Sequence, residues 1–193
     1  MAPAIQARRR DAAATRDAIL SAAHDRFLKD SYESVGLRDI AGDAGVDVAL
    51  VSRYFGGKEG LFRQVLTHEK RPDTFSEPQS IEELPLFLAN LIEADEDEDR
   101  ARRMEMFIIM LRSASSPQAG AVIRELIHRD VLDPMAKLIA GPEAEMRANM
   151  LLAVLMGIGV LRTIMQVDGM CDAEPCQFRT ERFRCLFEAA INC

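Results

Sequence analysis

Gly45 constrains this chain more than any other residue. It separates two short stretches, Leu37–Ala44 and Val48–Phe55, whose apolar residues recur at helical spacing. Ile40 and Ala41 lie in the first stretch. Val46 follows the turn, and Val51 and Phe55 anchor the second stretch. Ala41 is small, as a close helix crossing requires, and glycine supplies the left-handed backbone of a tight interhelical turn. With Val51 set inward, a rotation of about 100° per residue turns Ala49, Ser52 and Arg53 outward and leaves Leu50 at the flank. That face is small apart from one long donor. Two readings fit it. One is an ordinary helical hairpin with an exposed arginine. The other is a helix-turn-helix whose second helix enters a major groove, where small side chains allow close approach, arginine binds guanine O6 and N7, and Ala49 or Leu50 meets a thymine methyl.

The rest of the sequence reads as helix too. Ile19, Ala23 and Phe27 recur every four residues between Thr15 and Leu28. A helix is expected from Lys58 to just before Pro72, and PDTFSEPQS is a loop. Ser80 and Glu83 suggest a capping box for the next helix. Two helices flank SASSP at 113–117, and Gly141-Pro142 marks a boundary. A long helix is expected from Glu143 to Val167, and a last one after Pro175. No stretch alternates as a strand would. The expected fold is all-α, with about nine helices. Its expected parts are a flexible basic arm (1–14), a helix-turn-helix domain (15–71) and a C-terminal domain (72–193).

Charge and thiols narrow the function classes. The chain of 193 residues carries a formal charge of −7, which argues against a general basic coat for nucleic acid. Residues 1–62 are nonetheless neutral, with nine Lys/Arg and nine Asp/Glu, and the acidity lies beyond them. Arg8–Arg10 form the one local basic excess. The longest apolar run, Met150–Leu161, is twelve residues, short of the ~20 that a membrane span needs, so no membrane partner is expected. No signal-peptide pattern is present, and a cytoplasmic location is expected. Cys171, Cys176, Cys185 and Cys193 match no zinc spacing, and the three histidines are scattered, so neither a metal nor a cofactor is expected. The cysteines fit free thiols or, as an alternative, a redox sensor. No catalytic constellation supports an enzyme.

Three runs combine into a resemblance. Thr15-Arg16-x-x-Ile19-Leu20-x-Ala22-Ala23-x-x-x-Phe27, Ile40-Ala41-x-x-Ala44-Gly45-Val46 and Tyr54-Phe55-x-x-Lys58-Glu59-x-Leu61 together resemble the DNA-binding domain of TetR-family transcriptional repressors, over Thr15–Phe62. The resemblance implies a dimeric regulator that holds a palindromic operator and is released by a small effector. It also implies roles. Arg38 would reach a base or phosphate; Val48, Ala49, Leu50, Ser52 and Arg53 would form the recognition helix; Tyr54 and Lys58 would contact phosphates. Two positions depart from the family pattern: Gly36 stands where a Ser or Thr cap is usual, and Ser52 where tyrosine is common.

The C-terminal half yields two further expectations. The Met150–Leu161 run is apolar nearly all round, so more than one side of its helix needs cover. A second copy of the chain could supply one side, and the resemblance implies a dimer interface made by the last two long helices, with Met150, Val154, Leu161, Phe183 and Phe187 as its candidate residues. Ten methionines are many for this length, and methionine suits irregular apolar pockets. Phe87, Leu91, Phe107, Met110 and Met156 are candidate pocket residues for a mostly apolar effector, with Met104, Met106 and Met165 near them. Effector-independent or thiol-responsive regulation is the alternative.

Overall fold

The computed structural model describes residues 3–68, 78–93, 98–168 and 177–192. Among these residues there is no strand, and the helices number nine when continuous ones are counted once. They are α1 (Pro3–Lys29), α2 (Leu37–Asp43), α3 (Val48–Phe55), α4 (Lys58–Thr67), α5 (Leu84–Glu93), α6 (Glu98–Ser113), α7, α8 and α9 (Gln177–Asn192). Helix α7 runs from Pro117–Ile127 through a π-helical turn, His128–Leu132, into Asp133–Ile139. Helix α8 is Ala144–Gly159 extended by a second π-helical turn, Val160–Ile164.

Two boundaries differ from expectation. Helix α1 starts at Pro3, not Thr15, so the backbone is already helical within the segment assigned to an arm. Proline is tolerated in a first turn, and Ala12–Ala14 have high helix propensity. Helix α5 starts at Leu84, and Glu83 accepts the N–H of Gln79 at 2.8 Å instead of completing a capping box on Ser80.

The chain forms two compact units, and the division is not a single cut near residue 72. The first comprises Met1–Arg71 and Glu105–Arg124; the second comprises Pro72–Met104 and Glu125–Cys193. In the first, Ile19, Ala23 and Phe27 of α1 are fully buried, as are Ile40, Val51, Leu61 and Phe62. Phe27, Tyr32 and Phe62 form an aromatic cluster: Phe27 and Tyr32 stack at 6.0 Å, and Phe62 meets each edge-on at 5.0 and 5.1 Å. Such pairs favour stacked or edge-to-face geometry. Arg26 clasps Asp43 through two hydrogen bonds of 2.5 and 2.8 Å, tying α1 to the end of α2.

The second unit has its own core, from Leu84 and Leu88 of α5, Met135 and Ile139 of α7, Ala148, Leu151 and Ile158 of α8, and Phe183, Phe187 and Ile191 of α9. Glu93, at the end of α5, is buried and accepts from two arginines. Arg162 donates at 2.9 Å and Arg179 at 2.7 Å, and Arg162 also donates to the Ile92 carbonyl at 2.7 Å. Three helices are thereby joined through one carboxylate. Arg147 secures the 140–143 corner by donating to the carbonyls of Ala140 and Pro142 at 2.7 and 2.9 Å.

Candidate nucleic-acid interface

The interface is built around α3. The N–H of Ala49 donates to the Asp47 carboxylate at 2.7 Å, so an aspartate caps the helix start. Gly56 ends it in the left-handed conformation, with φ +73°. Gly45 likewise takes φ +66° in the turn from α2, and the Val46 N–H donates to the Ala41 carbonyl at 2.9 Å. Between these ends the helix has two faces. Val51 and Phe55 are buried, whereas Ala49, Ser52 and Arg53 are exposed. Val48, Leu50 and Tyr54 lie half-buried at the flanks. A side-chain donor on an otherwise small face is what a helix needs to approach base edges closely.

The flanking candidates are placed by neighbouring helices. Arg38 is exposed in the first turn of α2. That helix begins at Gly36 in extended conformation with no side-chain cap. Lys58 is the first residue of α4, and its Nζ lies 4.4 Å from the centroid of the Tyr32 ring. Burial lowers the basicity of Lys58, and the nearby Glu33 partly offsets this. Arg16, which the sequence motif includes without a role, lies over the Phe55 ring at 5.3 Å and donates to Gln64 at 2.6 Å, bracing α1 against α3 and α4.

Sequence reasoning missed three residues of this region. Asp47 caps α3, and an acidic residue just before an apolar-periodic run is a readable signal. Tyr32 packs under Lys58, which no local pattern reveals because the two are far apart in sequence. Gly60 fits where a Cβ would lie 1.9 Å from the Phe55 carbonyl oxygen.

The other candidates separate. Phe107 and Met110 belong to the first unit, whereas Phe87, Leu91 and Met156 are half-buried in the second. Met165 is exposed, and Met104 accepts a hydrogen bond from Thr163. Arg112 donates to the Lys29 carbonyl at 3.2 Å. A groove of about 660 Å³ in the first unit is lined by the charged Asp25, Arg26, Lys29, Asp30 and Asp43 together with Ala18, Ala22 and Ala44.

Two interface candidates need correction. Phe183 and Phe187 are buried in the core of the second unit itself, at 7% and 0% exposure, and so pack inward and not on an outer face of α9. On α9 the exposed apolar residues are Phe178 and Leu186. Met150 is exposed, and Val154 and Leu161 are half-buried. Cys185 is exposed; Cys171, Cys176 and Cys193 lie outside the described residues. Helix α8, over Ala144–Ile164, is by length and composition long and apolar enough to cross a membrane, although the apolar run alone was expected to be too short.

Comparison with known proteins gives concordant matches. Residues 19–65 match the family model described as bacterial regulatory proteins, tetR family. Residues 82–178 match the tetracyclin repressor-like C-terminal domain. No curated protein matches the chain. Among solved structures, the chain is similar to NalD of Pseudomonas aeruginosa, the secondary repressor of the MexAB-OprM multidrug efflux pump. The TM-score is 0.65 and the identity 22%, covering 88% of this chain and 94% of that one. It is also similar to GusR of Salmonella enterica, with TM-score 0.66, identity 16% and coverages of 93% and 96%. TylP of Streptomyces fradiae, a TetR regulator, matches with TM-score 0.58, identity 23% and coverages of 95% and 81%.

Proposed function

The chain belongs to the TetR family of DNA-binding transcription regulators, and we propose that it is a repressor that holds a palindromic operator as a homodimer. The observation that carries the reading is the outward face of α3, with Ala49, Ser52 and Arg53 exposed over a buried Val51 and Phe55. In this reading residues 15–71 hold the reading head and 72–193 the effector-binding and dimer-forming part. Arg53 reads a base, Lys58 and Tyr54 bind phosphates, and Arg38 reaches the groove edge. A phosphate at Lys58 also meets the free N–H groups of the α4 N-terminus, which favour an anion.

The dimer reading is supported by the outer face of α8. Met146, Met150 and Ile164 are exposed there, and Ala153 and Gly157 lie on the same stripe. A second copy would cover it, with Phe178 and Leu186 of α9 beside it. The effector is a small, mostly apolar molecule, supported by the half-buried Phe87, Leu91 and Met156 of the second unit. It acts as an inducer by binding the DNA-free arrangement better than the DNA-bound one, since equal affinity shifts nothing.

Selection of bound duplexes from a random pool tests the reading, with wild type expected to recover a two-fold symmetric sequence. Arg53→Ala then relaxes one position of each half-site by about 1–3 kcal/mol, and Lys58→Ala weakens all duplexes alike. A pool with no enriched sequence, or both variants behaving as wild type, overturns it.

A further inference from the structure

Lys58 sits at an electrostatically awkward place. A cation at the start of a helix faces the positive end of the backbone dipoles. It is also half-buried. What lies against it is the face of the Tyr32 ring, 4.4 Å from Nζ. An aromatic face attracts a cation in that position. The ring is itself fixed. Tyr32 is 5% exposed, stacks on Phe27 and meets the edge of Phe62. Its backbone N–H donates to the hydroxyl of Ser113, a fully buried serine at the end of α6, at 3.1 Å. The next residue, Glu33, is held in turn: the Ser116 hydroxyl donates to its carboxylate at 2.5 Å and accepts the Ala119 N–H at 3.3 Å. All these residues belong to the first unit.

We propose that Tyr32 is a positioning residue for DNA binding: its ring holds the Lys58 ammonium at the start of α4, and Ser113 and Ser116, at the corner between α6 and α7, lock the turn that presents the ring. The proposal rests on the reading of Lys58 as a phosphate contact. A free lysine on a four-carbon stem sweeps many rotamers, and ordering it on a phosphate costs entropy. A ring that has already ordered it removes part of that cost. Ser116 has a second part. By holding the Glu33 carboxylate it fixes the turn beside the ring, with that charge still acting on Lys58. The corner between α6 and α7 thus supports the phosphate contact through the backbone of Tyr32 and the carboxylate of Glu33.

The test uses the whole chain. Its lysines are Lys29, Lys58, Lys70 and Lys137, few enough for ¹³C-dimethyl labelling. One dimethyl signal is expected upfield through the ring current of Tyr32, and its loss in Lys58→Arg assigns it. Tyr32→Phe keeps the signal upfield and Tyr32→Leu returns it to the ordinary position. With unlabelled protein, Tyr32→Leu weakens every duplex by roughly threefold to tenfold and Tyr32→Phe restores binding. Tyr32→Leu combined with Lys58→Ala binds no worse than Lys58→Ala alone. Ser116→Ala, which leaves the aromatic cluster intact, serves if Tyr32→Leu does not fold; its Lys58 signal shifts and its affinity falls. Absence of an upfield signal, or losses from Tyr32→Leu and Lys58→Ala that multiply, overturns the proposal. If the upfield signal is present and Lys58→Ala leaves DNA binding unchanged, the ring contact stands and the phosphate reading of Lys58 is the part that fails.

Discussion

Gly60 is the residue whose importance the sequence conceals best. Read along the chain it is filler between Glu59 and Leu61. Yet a glycine inside a helix costs about 1 kcal/mol relative to alanine, so its presence calls for a packing reason. The reason is the Phe55 carbonyl, which would lie 1.9 Å from an added Cβ. A backbone oxygen cannot rotate away, so the end of α3 and the start of α4 would have to part. Gly60→Ala is therefore expected to cost about 3 kcal/mol or more, read as a fall in the urea midpoint, and to lower affinity for operator DNA. The inward placement of Val51 and Phe55 was legible, because helical period and one buried residue fix a face. Tyr32 under Lys58 was not, since that contact depends on how a turn after α1 meets the start of α4.

Helices α8 and α9 show where periodicity stops informing. Both carry enough apolar residues to face two neighbours. Hydrophobic spacing identifies such helices but does not say which stripe meets the chain's own core. On α9 it is Phe183, Phe187 and Ile191 that turn inward, while Phe178 and Leu186, in the same apolar series, turn outward. The trio of buried Glu93 with half-buried Arg162 and Arg179 was equally invisible, because its members come from three helices distant in sequence. Glu93 is the carboxylate both guanidiniums share. Neutralising it removes the charge that both guanidiniums share in a largely buried place. Glu93→Gln, close to isosteric, is expected to destabilise the chain by about 3 kcal/mol, measured by chemical denaturation. A loss under 1 kcal/mol, the range typical of surface pairs, would contradict that role.

For the molecule as a whole, the all-α class and the helix-turn-helix were legible from Gly45 and the spacing around it. The partition of the chain was not, because α6 changes from the charged EDRARR to the apolar MFIIML without a break in the helix, and no turn residue marks the division between Met104 and Glu105. Association is testable at this scale. Met150 is 39% exposed on the outer face of α8. Met150→Glu is expected to sediment as a monomer at micromolar concentration, to keep its helical circular dichroism, and to bind a palindromic duplex more weakly than wild type. Retention of the dimer would move the interface elsewhere. The segment Glu105–Arg124, folded with the N-terminal residues, bears on the use of this protein as a component. Grafting its first 71 residues onto a foreign sensing domain would leave behind Ser113 and Ser116, the hydroxyls on which the Tyr32–Glu33 turn is hung. A reading head transplanted by a single splice arrives without the hydroxyls behind Tyr32 and Glu33, and a working chimera must carry the corner between α6 and α7 across with it.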